Sequence, residues 1–576
     1  MPYVITQPCC NDATCVEVCP VDCIRPKPDD PSFTTAEMLY IDPDTCIDCG
    51  ACADACPVDA IVPADELTPR TARYEQINAD YFQRYPLESG WDALGVPEFD
   101  PQDGNSRGIA SSQSETVRIA IIGAGASACY AADALKARLG DTVEVEMFDR
   151  LPTPWGLIRA GVAPDHQGTK RVTDTFRSMN KQAVRLHLNV EIGTHLTHDE
   201  LMAHHHAVIY ANGAAGDRKL GVPGENLPGC HGATAFVAWY NGHPDYAHLK
   251  IDLSCERAVI IGNGNVALDI ARILVTDPSE LAGTDIADYA LEALRHSAIR
   301  EVVLIGRRGP AQAAYTNPEL LALGHIRGVD IVVDSEELVL DDRSRALLDD
   351  NADPATVLKV QIVEEYAAQK TCTGDKRIVL RYLASPTEVL GHDRVDALDI
   401  VHNELAVDEN GRLAAAPTDR TETIATGLVL RSIGYRGIAV PGLPPLAQSG
   451  ALPNIHGRVL GENGVLLPGV YTTGWLKRGP SGGIGTNRHC ANETVDMLVE
   501  DLAAPRLPSP SHDGQALAAL VSERRPEAID WAGWQAIDEM ERYRGQKAGR
   551  PRRKIISTAA SVAVAQTRSH AVGESE

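Results

Sequence analysis

Apolar residues along this chain gather in short unbroken runs. Val117-Arg118-Ile119-Ala120-Ile121-Ile122, Val143-Glu144-Val145-Glu146-Met147-Phe148, Ala207-Val208-Ile209-Tyr210, Ala258-Val259-Ile260-Ile261 and Glu301-Val302-Val303-Leu304-Ile305 each have the length of one strand. Such near-continuous runs suit strands covered on both faces, as in parallel sheets. Helical patterns follow two of them, at Cys129 to Leu139 and Leu268 to Leu274, so strand and helix alternate as α/β units do. Residues 66–115 break this rhythm: a short helical pattern, Thr71 to Arg84, gives way to polar sequence. Its last part, residues 100–108, has too few apolar side chains to bury and reads as a linker. No run approaches the roughly 18 apolar residues of a membrane helix, so no integral membrane segment is expected.

The turns after two of the strands carry chemistry. Gly123-Ala124-Gly125-Ala126-Ser127-Ala128 follows the first strand and opens a helix. In a dinucleotide fold, Gly123 makes the tight turn, Gly125 lets backbone approach a pyrophosphate, and the helix N-terminus attracts the anion. Asp149, at the end of the next strand, stands where a carboxylate binds ribose hydroxyls. Gly262-Asn263-Gly264-Asn265-Val266-Ala267 repeats the arrangement, so the chain has two candidate nucleotide sites. Here the following strand ends at Gly306-Arg307-Arg308, without a carboxylate. Two guanidiniums can hold a 2′-phosphate bidentately, which points to NADP(H) over NAD(H). A stretch around Thr276 to Ser297 lengthens the usual spacing.

Cysteine arithmetic adds a third element. Cys46-Ile47-Asp48-Cys49-Gly50-Ala51-Cys52-Ala53-Asp54-Ala55-Cys56-Pro57 has the spacing of bacterial iron–sulfur ligation, in which the fourth cysteine serves a second cluster. Upstream, Cys19-Pro20 matches the fourth-cysteine position, so Cys19 is expected to join Cys46, Cys49 and Cys52 around one [4Fe–4S] cluster. Cys56 is expected to join Cys9 and Cys15, three ligands that fit [3Fe–4S]. Cys10 could replace Cys9, or join it to complete a second [4Fe–4S] site, and Cys23 is expected to be a free thiol. This half resembles the seven-iron bacterial ferredoxins. A disulfide framework fits poorly, because nine cysteines in the first 56 residues are odd in number and no signal peptide precedes them.

Charge and composition narrow the partners. The net charge of −26 argues against nucleic acid. Through residue 65 there are twelve Asp/Glu against two Lys/Arg, a charge that could steer the module to a basic partner surface. The five later cysteines are widely spaced and favour a reducing cytoplasm. His204-His205-His206 sits at an expected helix end, where capping is the simpler reading. The basic run from Arg542 to Lys554 reads as a solvated tail, or as a dock for the acidic module or an external carrier.

From about residue 117 to 545 the chain resembles the adrenodoxin-reductase-like ferredoxin–NADP reductases. The resemblance lies in Leu151-Pro152-Thr153-Pro154-Trp155-Gly156-Leu157, Gly161-Val162-Ala163-Pro164-Asp165-His166, the second glycine loop, Gly306-Arg307-Arg308-Gly309-Pro310 and Gly474-Trp475-Leu476-Lys477-Arg478-Gly479-Pro480-Ser481-Gly482-Gly483-Ile484-Gly485. With the cysteine module in front, the whole is similar to actinobacterial fused ferredoxin/ferredoxin–NADP reductases. The resemblance implies FAD at Gly123, Gly125 and Ser127, held also by Asp149, Leu157, Val190, Trp475, Gly482, Gly483 and Ile484. It implies NADPH at Asn263, Gly264, Asn265, Val266, Arg307, Arg308, Glu319 and Gly482, with His166 and Glu319 catalytic.

The expected architecture is multidomain: an α+β bacterial ferredoxin-like module (1–65), a linker (66–115), and an α/β reductase with two nested Rossmann-like domains. FAD would occupy 116–216 with 434–576, and NADP the inserted 217–433, with hinges near residues 213–216 and 432–435. The expected activity passes electrons from NADPH through FAD, one at a time, to the clusters and then to an external ferredoxin or P450-type acceptor. Two other readings are a glutamate-synthase-like small subunit and a flavoprotein reductase that acts on separate ferredoxins, with the cysteine module as a docking or structural domain.

Overall fold

A computed structural model describes residues 2–87, 116–346, 348, 353–369, 374–409 and 413–573. The polar stretch 100–108 and Cys372 lie outside the described residues.

The cysteine-rich module is built from two similar halves. Strand Tyr3–Ile5 pairs antiparallel with Ile61–Pro63, and Ile24–Arg25 with Tyr40–Ile41. Short helices Thr14–Glu17 and Ala51–Ala55 each start after a left-handed residue, Ala13 (φ 60°) and Gly50 (φ 76°). Cys19-Pro20-Val21-Asp22 and Cys56-Pro57-Val58-Asp59 both end on an aspartate at φ 52°. Two small hairpins bury little by themselves. The helix Arg73–Arg84, placed in the linker by its polar surroundings, supplies the missing core: Tyr74, Ile77, Asn78 and Phe82 are buried on the module. Asn78 Oδ1 accepts from the Ile41 N–H (2.9 Å) and the Ile5 N–H (3.3 Å), and its Nδ2 donates to the Ile5 carbonyl (2.9 Å). Tyr81 stacks on Tyr40 with ring centroids 4.2 Å apart.

Two α/β units follow. The first has a seven-stranded sheet in the spatial order 454–455, 458–460, 466–472, 207–210, 117–122, 143–149, 184–188, parallel except for the hairpin edge. The second has six parallel strands in the order 230–232, 428–431, 257–261, 301–305, 376–381, 329–333, with a three-stranded antiparallel meander over 384–425 beside it. The runs read as buried strands are the interiors of the two sheets: Ile119, Ala120 and Ile121 in the first, and Ala258, Val259 and Ile260 in the second, are fully buried. The chain leaves the first unit and returns to it side by side, since Gly216–Asp217 pairs antiparallel with Tyr435–Arg436.

The basic C-terminal run is neither a solvated tail nor a dock for the cysteine module. Arg550 and Arg553 pair with Asp288, Arg552 with Asp538 (2.8 Å) and Glu541 (2.9 Å), and Lys554 with Asp285 (3.0 Å). Asp285 and Asp288 belong to the stretch that lengthens the spacing between strands 257–261 and 301–305. That stretch therefore receives the tail, which then continues into helix Thr558–Gly573.

Candidate redox site

Strand Val117–Ile122 ends at Gly123, whose φ of 110° favours glycine and where a Cβ would lie 2.6 Å from the Ala211 carbonyl oxygen. Helix Ala126–Leu139 begins at Gly125 with no side-chain cap, which leaves its first N–H groups free for an anion. Gly156 faces Gly125 so closely that a Cβ on Gly156 would lie 3.1 Å from the Gly125 Cα. The result is a cradle of bare backbone. Asp149 borders it, accepting from the Ala124 N–H (2.8 Å) and the Leu151 N–H (2.9 Å). Burial pushes its carboxyl up, although those two N–H groups oppose the shift. The Val190 N–H donates to the Asp149 carbonyl (2.9 Å), and Leu157 is 41% exposed at the rim.

The loop after Trp475–Arg478 closes on the same cradle. Gly482 is left-handed (φ 77°), and Trp475 Nε1 donates to the Ser481 carbonyl at 3.1 Å. Asn487 ties the two sides together. Its amide nitrogen donates to the carbonyls of Gly483 (3.1 Å) and Ile484 (3.0 Å), and its Oδ1 accepts from Ser127 Oγ (2.8 Å). Free helix N–H groups as donors, bare glycines and a half-buried carboxylate as acceptor form a set that fits a flavin dinucleotide.

In the second unit Gly262 (φ 116°) repeats the tight turn, with a Cβ position 2.1 Å from the Ser432 carbonyl oxygen. Helix Asn265–Val275 starts uncapped at Gly264, and Asn265 Oδ1 accepts from the Thr316 N–H (2.8 Å). Arg307 is exposed, and Arg308 donates to the Gln312 carbonyl at 3.3 Å. Among the described residues neither guanidinium pairs with a carboxylate. Burial pushes Arg308 down and the Arg307 charge adds to it, a repulsion that a phosphate between them would relieve.

The two units meet at Arg272, whose side chain is 7% exposed. It holds Asp165 at 2.5 and 3.1 Å, Asp269 at 2.6 Å and Glu319 at 3.3 Å. Its Nη2 lies 2.8 Å from His166 Nε2. A guanidinium only donates, so this contact makes His166 Nε2 the acceptor and leaves the ring proton on Nδ1. His166 and Glu319 approach to 3.7 Å. Burial pushes Asp165 up, but Arg272 outweighs it and holds the carboxyl below its usual range. Glu319 moves the other way: burial raises it, and Asp269 and Asp165 add repulsion that the Arg272 guanidinium does not cancel. His166, Asp269 and Glu319 lie close enough to share an ion, but the Arg272 guanidinium already supplies the cation among them.

The cysteines divide into two groups. Cys9, Cys10, Cys15 and Cys56 line one small cavity with Asp12, Leu39 and Val58. Cys19, Cys23, Cys46, Cys49 and Cys52 form the other, in which Cys49 is exposed. Cys23 lies against Cys19: its backbone N–H donates to Cys19 Sγ (3.4 Å), and the two sulfurs are 3.5 Å apart, within hydrogen-bond reach. The Cys23 thiol is the main reason the Cys19 thiol falls to about 6, against the opposing effect of burial. Among the described residues no three of these thiols converge within 4.8 Å.

The cavity group abuts the flavin-side loop. The Gly485 N–H donates to the Cys10 carbonyl (2.7 Å), and a Cβ on Gly485 would lie 2.1 Å from the Asn11 carbonyl carbon. Arg488 reaches the Asp12 carbonyl (3.0 Å) and Thr14 Oγ1 (3.2 Å).

Residues 39–62 match the 4Fe-4S binding domain family. A probable ferredoxin/ferredoxin–NADP reductase of Mycobacterium tuberculosis is 48% identical over 572 residues, which cover 98% of this chain and 95% of that one. The chain belongs to the fused ferredoxin/ferredoxin–NADP reductases. The NADPH-ferredoxin reductase FprA of Mycobacterium tuberculosis is 45% identical over 457 residues, 77% of this chain and 97% of its own. The solved structure of that FprA in complex with NADPH superposes with a TM-score of 0.74 at 44% identity, covering 78% of this chain and all of that one.

In this fused reductase three residues at these sites, Arg272, Asp269 and Asn487, were not read from the sequence. Arg272 and Asp269 are a charged pair at i, i+3 in a helix otherwise rich in Ile, Leu, Val and Ala, which was the available signal. Asn487 gave none, since its bonds depend on two distant loops. The three consecutive histidines of the reductase take separate partners: His204 Nδ1 meets the Asp513 carbonyl (3.0 Å), His205 Nδ1 meets the Leu201 carbonyl (2.8 Å), and His206 Nδ1 accepts from the Arg118 N–H (3.1 Å).

Proposed function

We propose that this reductase moves electrons from NADPH to ferredoxin-type acceptors, with its own N-terminal module as the first acceptor. When bound, FAD takes a hydride from NADPH and releases the electrons singly, and iron–sulfur clusters carry them one at a time. FAD is held by Gly123, Gly125, Ser127, Asp149, Leu157, Val190, Trp475 and the backbone of Gly482, Gly483 and Ile484. NADPH is held by Asn263, Gly264, Asn265, Val266, Arg307, Arg308, Glu319 and Gly482. Cys19, Cys46, Cys49 and Cys52 hold a [4Fe–4S] cluster. Cys9, Cys15 and Cys56 hold a [3Fe–4S] cluster, or a second [4Fe–4S] with Cys10. The external acceptor is a ferredoxin or P450-type protein, met in a reducing cytoplasm.

The side chains around Arg272 supply charge and orientation. Three carboxylates against one guanidinium leave an excess of negative charge when all are ionised. That excess favours the positive charge that develops on a nicotinamide as hydride leaves. His166 presents its Nδ1 proton, and the raised Glu319 carboxyl can hold a proton without a second cation. The observation that carries the reading is the Gly485–Cys10 contact at 2.7 Å, which joins the loop assigned to the flavin with the cysteine module. Anaerobic NADPH titration followed by absorbance and low-temperature EPR tests it: the flavin should bleach and cluster signals should appear on the same chain. Bleaching with unreduced clusters would refute the intramolecular route.

A further inference from the structure

The cysteine module touches both α/β units at once. Toward the seven-stranded unit it is held by Gly485 and Arg488, and Arg171 pairs with Asp59. Toward the six-stranded unit, Glu37 Oε2 accepts from the Asn317 N–H at 2.8 Å, Glu37 Oε1 lies 3.4 Å from Lys359 Nζ, and Arg73 pairs with Glu365 at 2.6 Å. Arg73 and Glu365 are solvent-accessible, so that pair holds little. Glu37 differs: its side chain is 13% exposed and that of Lys359 11%. Burial pushes the Glu37 carboxyl up, while Lys359 and the Asn317 N–H oppose the shift.

The contact is placed where it matters. Asn317 begins helix Asn317–Leu323, two positions before Glu319, and its Nδ2 donates to the Ala355 carbonyl (2.8 Å). Lys359 donates to the Ala313 carbonyl (3.1 Å) and lies over the Tyr315 ring, 5.7 Å from its centroid. One carboxylate of the module thus fixes residues 313–317 at two points, directly at Asn317 and through Lys359 at Ala313.

We infer that Glu37 is a positioning residue for the nicotinamide site: it fixes the segment that carries Glu319, so the module keeps the six-stranded unit where Glu319 meets His166. The inference rests on the reading that Glu319 faces the nicotinamide. The module is then a structural part of the hydride-transfer site as well as an electron acceptor.

The test uses the full holoprotein with Glu37→Ala and Glu37→Gln, after FAD absorbance and cluster EPR show that both variants are loaded as the parent is. In Glu37→Ala, amide hydrogen exchange across residues 313–323 should quicken. The NADPH concentration that half-saturates flavin reduction should rise about three- to tenfold, the scale of one lost charge-assisted hydrogen bond partly transmitted. Glu37→Gln keeps an oxygen for the Asn317 N–H and should restore slow exchange and most of the NADPH dependence. Unchanged exchange in Glu37→Ala overturns the inference, and so does faster exchange with unaltered NADPH dependence. Glu319→Gln, measured in parallel, separates this failure from that of the underlying reading: if it too leaves NADPH reduction unaltered, Glu319 is not at the nicotinamide, and the inference falls with that placement.

Discussion

Replacing Arg272 with glutamine is the sharpest perturbation the site offers. The guanidinium contacts three carboxylates and a histidine, and the side chains involved are between 7% and 24% exposed, so solvent screens them little. A pair of unit charges about 4 Å apart interacts by about 4 kcal/mol at an effective dielectric of 20. Removing one partner of a buried pair costs about 3–5 kcal/mol, because the other charge is stranded. That cost divides according to where the partners sit. Asp269 and Glu319 belong to the same unit as Arg272, so their share weakens the fold locally. Asp165 and His166 belong to the other unit, so their share loosens the approach of the two units. If about half the cost, roughly 2 kcal/mol, falls on that approach, NADPH-driven flavin reduction should slow by about 30-fold, at 1.4 kcal/mol per factor of ten. Stopped-flow flavin absorbance with NADPH measures it, with FAD content as the folding control. Arg272→Lys should fall between parent and Gln variant, since an ammonium cannot span both Asp165 oxygens and His166 together. A rate within threefold of the parent in Arg272→Gln would refute the argument, because the interdomain ion pairs would then carry no weight in the reaction.

Three other outcomes follow from separate parts of the molecule. Replacing Arg307 and Arg308 with glutamine should reduce the preference for NADPH over NADH by about 10- to 100-fold, and equal losses with both nucleotides in steady-state rates would sink the phosphate assignment. Gly485→Ala puts a Cβ into the Asn11 backbone, an overpacking of about 1–3 kcal/mol, so cluster reduction seen by EPR should fall more than flavin bleaching by NADPH; equal loss of both would count against the docking geometry. Lys554 gives a pH effect of defined sign. Burial pushes its ammonium down to about 7, Asp285 opposes, and Lys170 and Arg159 repel it. The unfolded chain keeps that proton to higher pH, so from about pH 7 to 9 the unfolded state binds more protons and stability rises with pH. Asp285, held low despite burial by Lys170 and Lys554, stays ionised throughout that window. Thermal unfolding across this range should show the rise in the parent and a flatter profile in Lys554→Met, and identical profiles would refute the assignment to Lys554.

What could be read from the sequence was chemistry that depends on local spacing. A glycine turn after a strand, a cysteine run and an arginine pair after the next strand act within a few residues of themselves, and the glycine turns and the arginine pair do fall at the ends of strands that the apolar runs predict. What escaped were contacts whose partners are far apart in the chain. Arg272 and Asp165 are 107 positions apart, and Asn317 and Glu37 are 280 apart. A periodicity reading sees Arg272 only as a charge inside an apolar helix. The basic C-terminal run misled for the same reason, since its composition reads as solvated while Asp285 and Asp288, which pair with Lys554, Arg550 and Arg553, lie in a stretch that looked like a mere insertion. Helix Arg73–Arg84 shows the converse: its polar neighbourhood suggested a linker, yet Tyr74, Ile77 and Phe82 fall on one face, and the small module has no other way to cover its core. In each case the hidden partner joins one unit to another. The residues proposed to bind cofactors are therefore those of local sequence pattern, while those that join the three units to one another are set by the assembly. Arg272 and Glu37 belong to the second class, and for that reason substitutions there should change how the reductase uses NADPH more than whether FAD and the clusters are loaded.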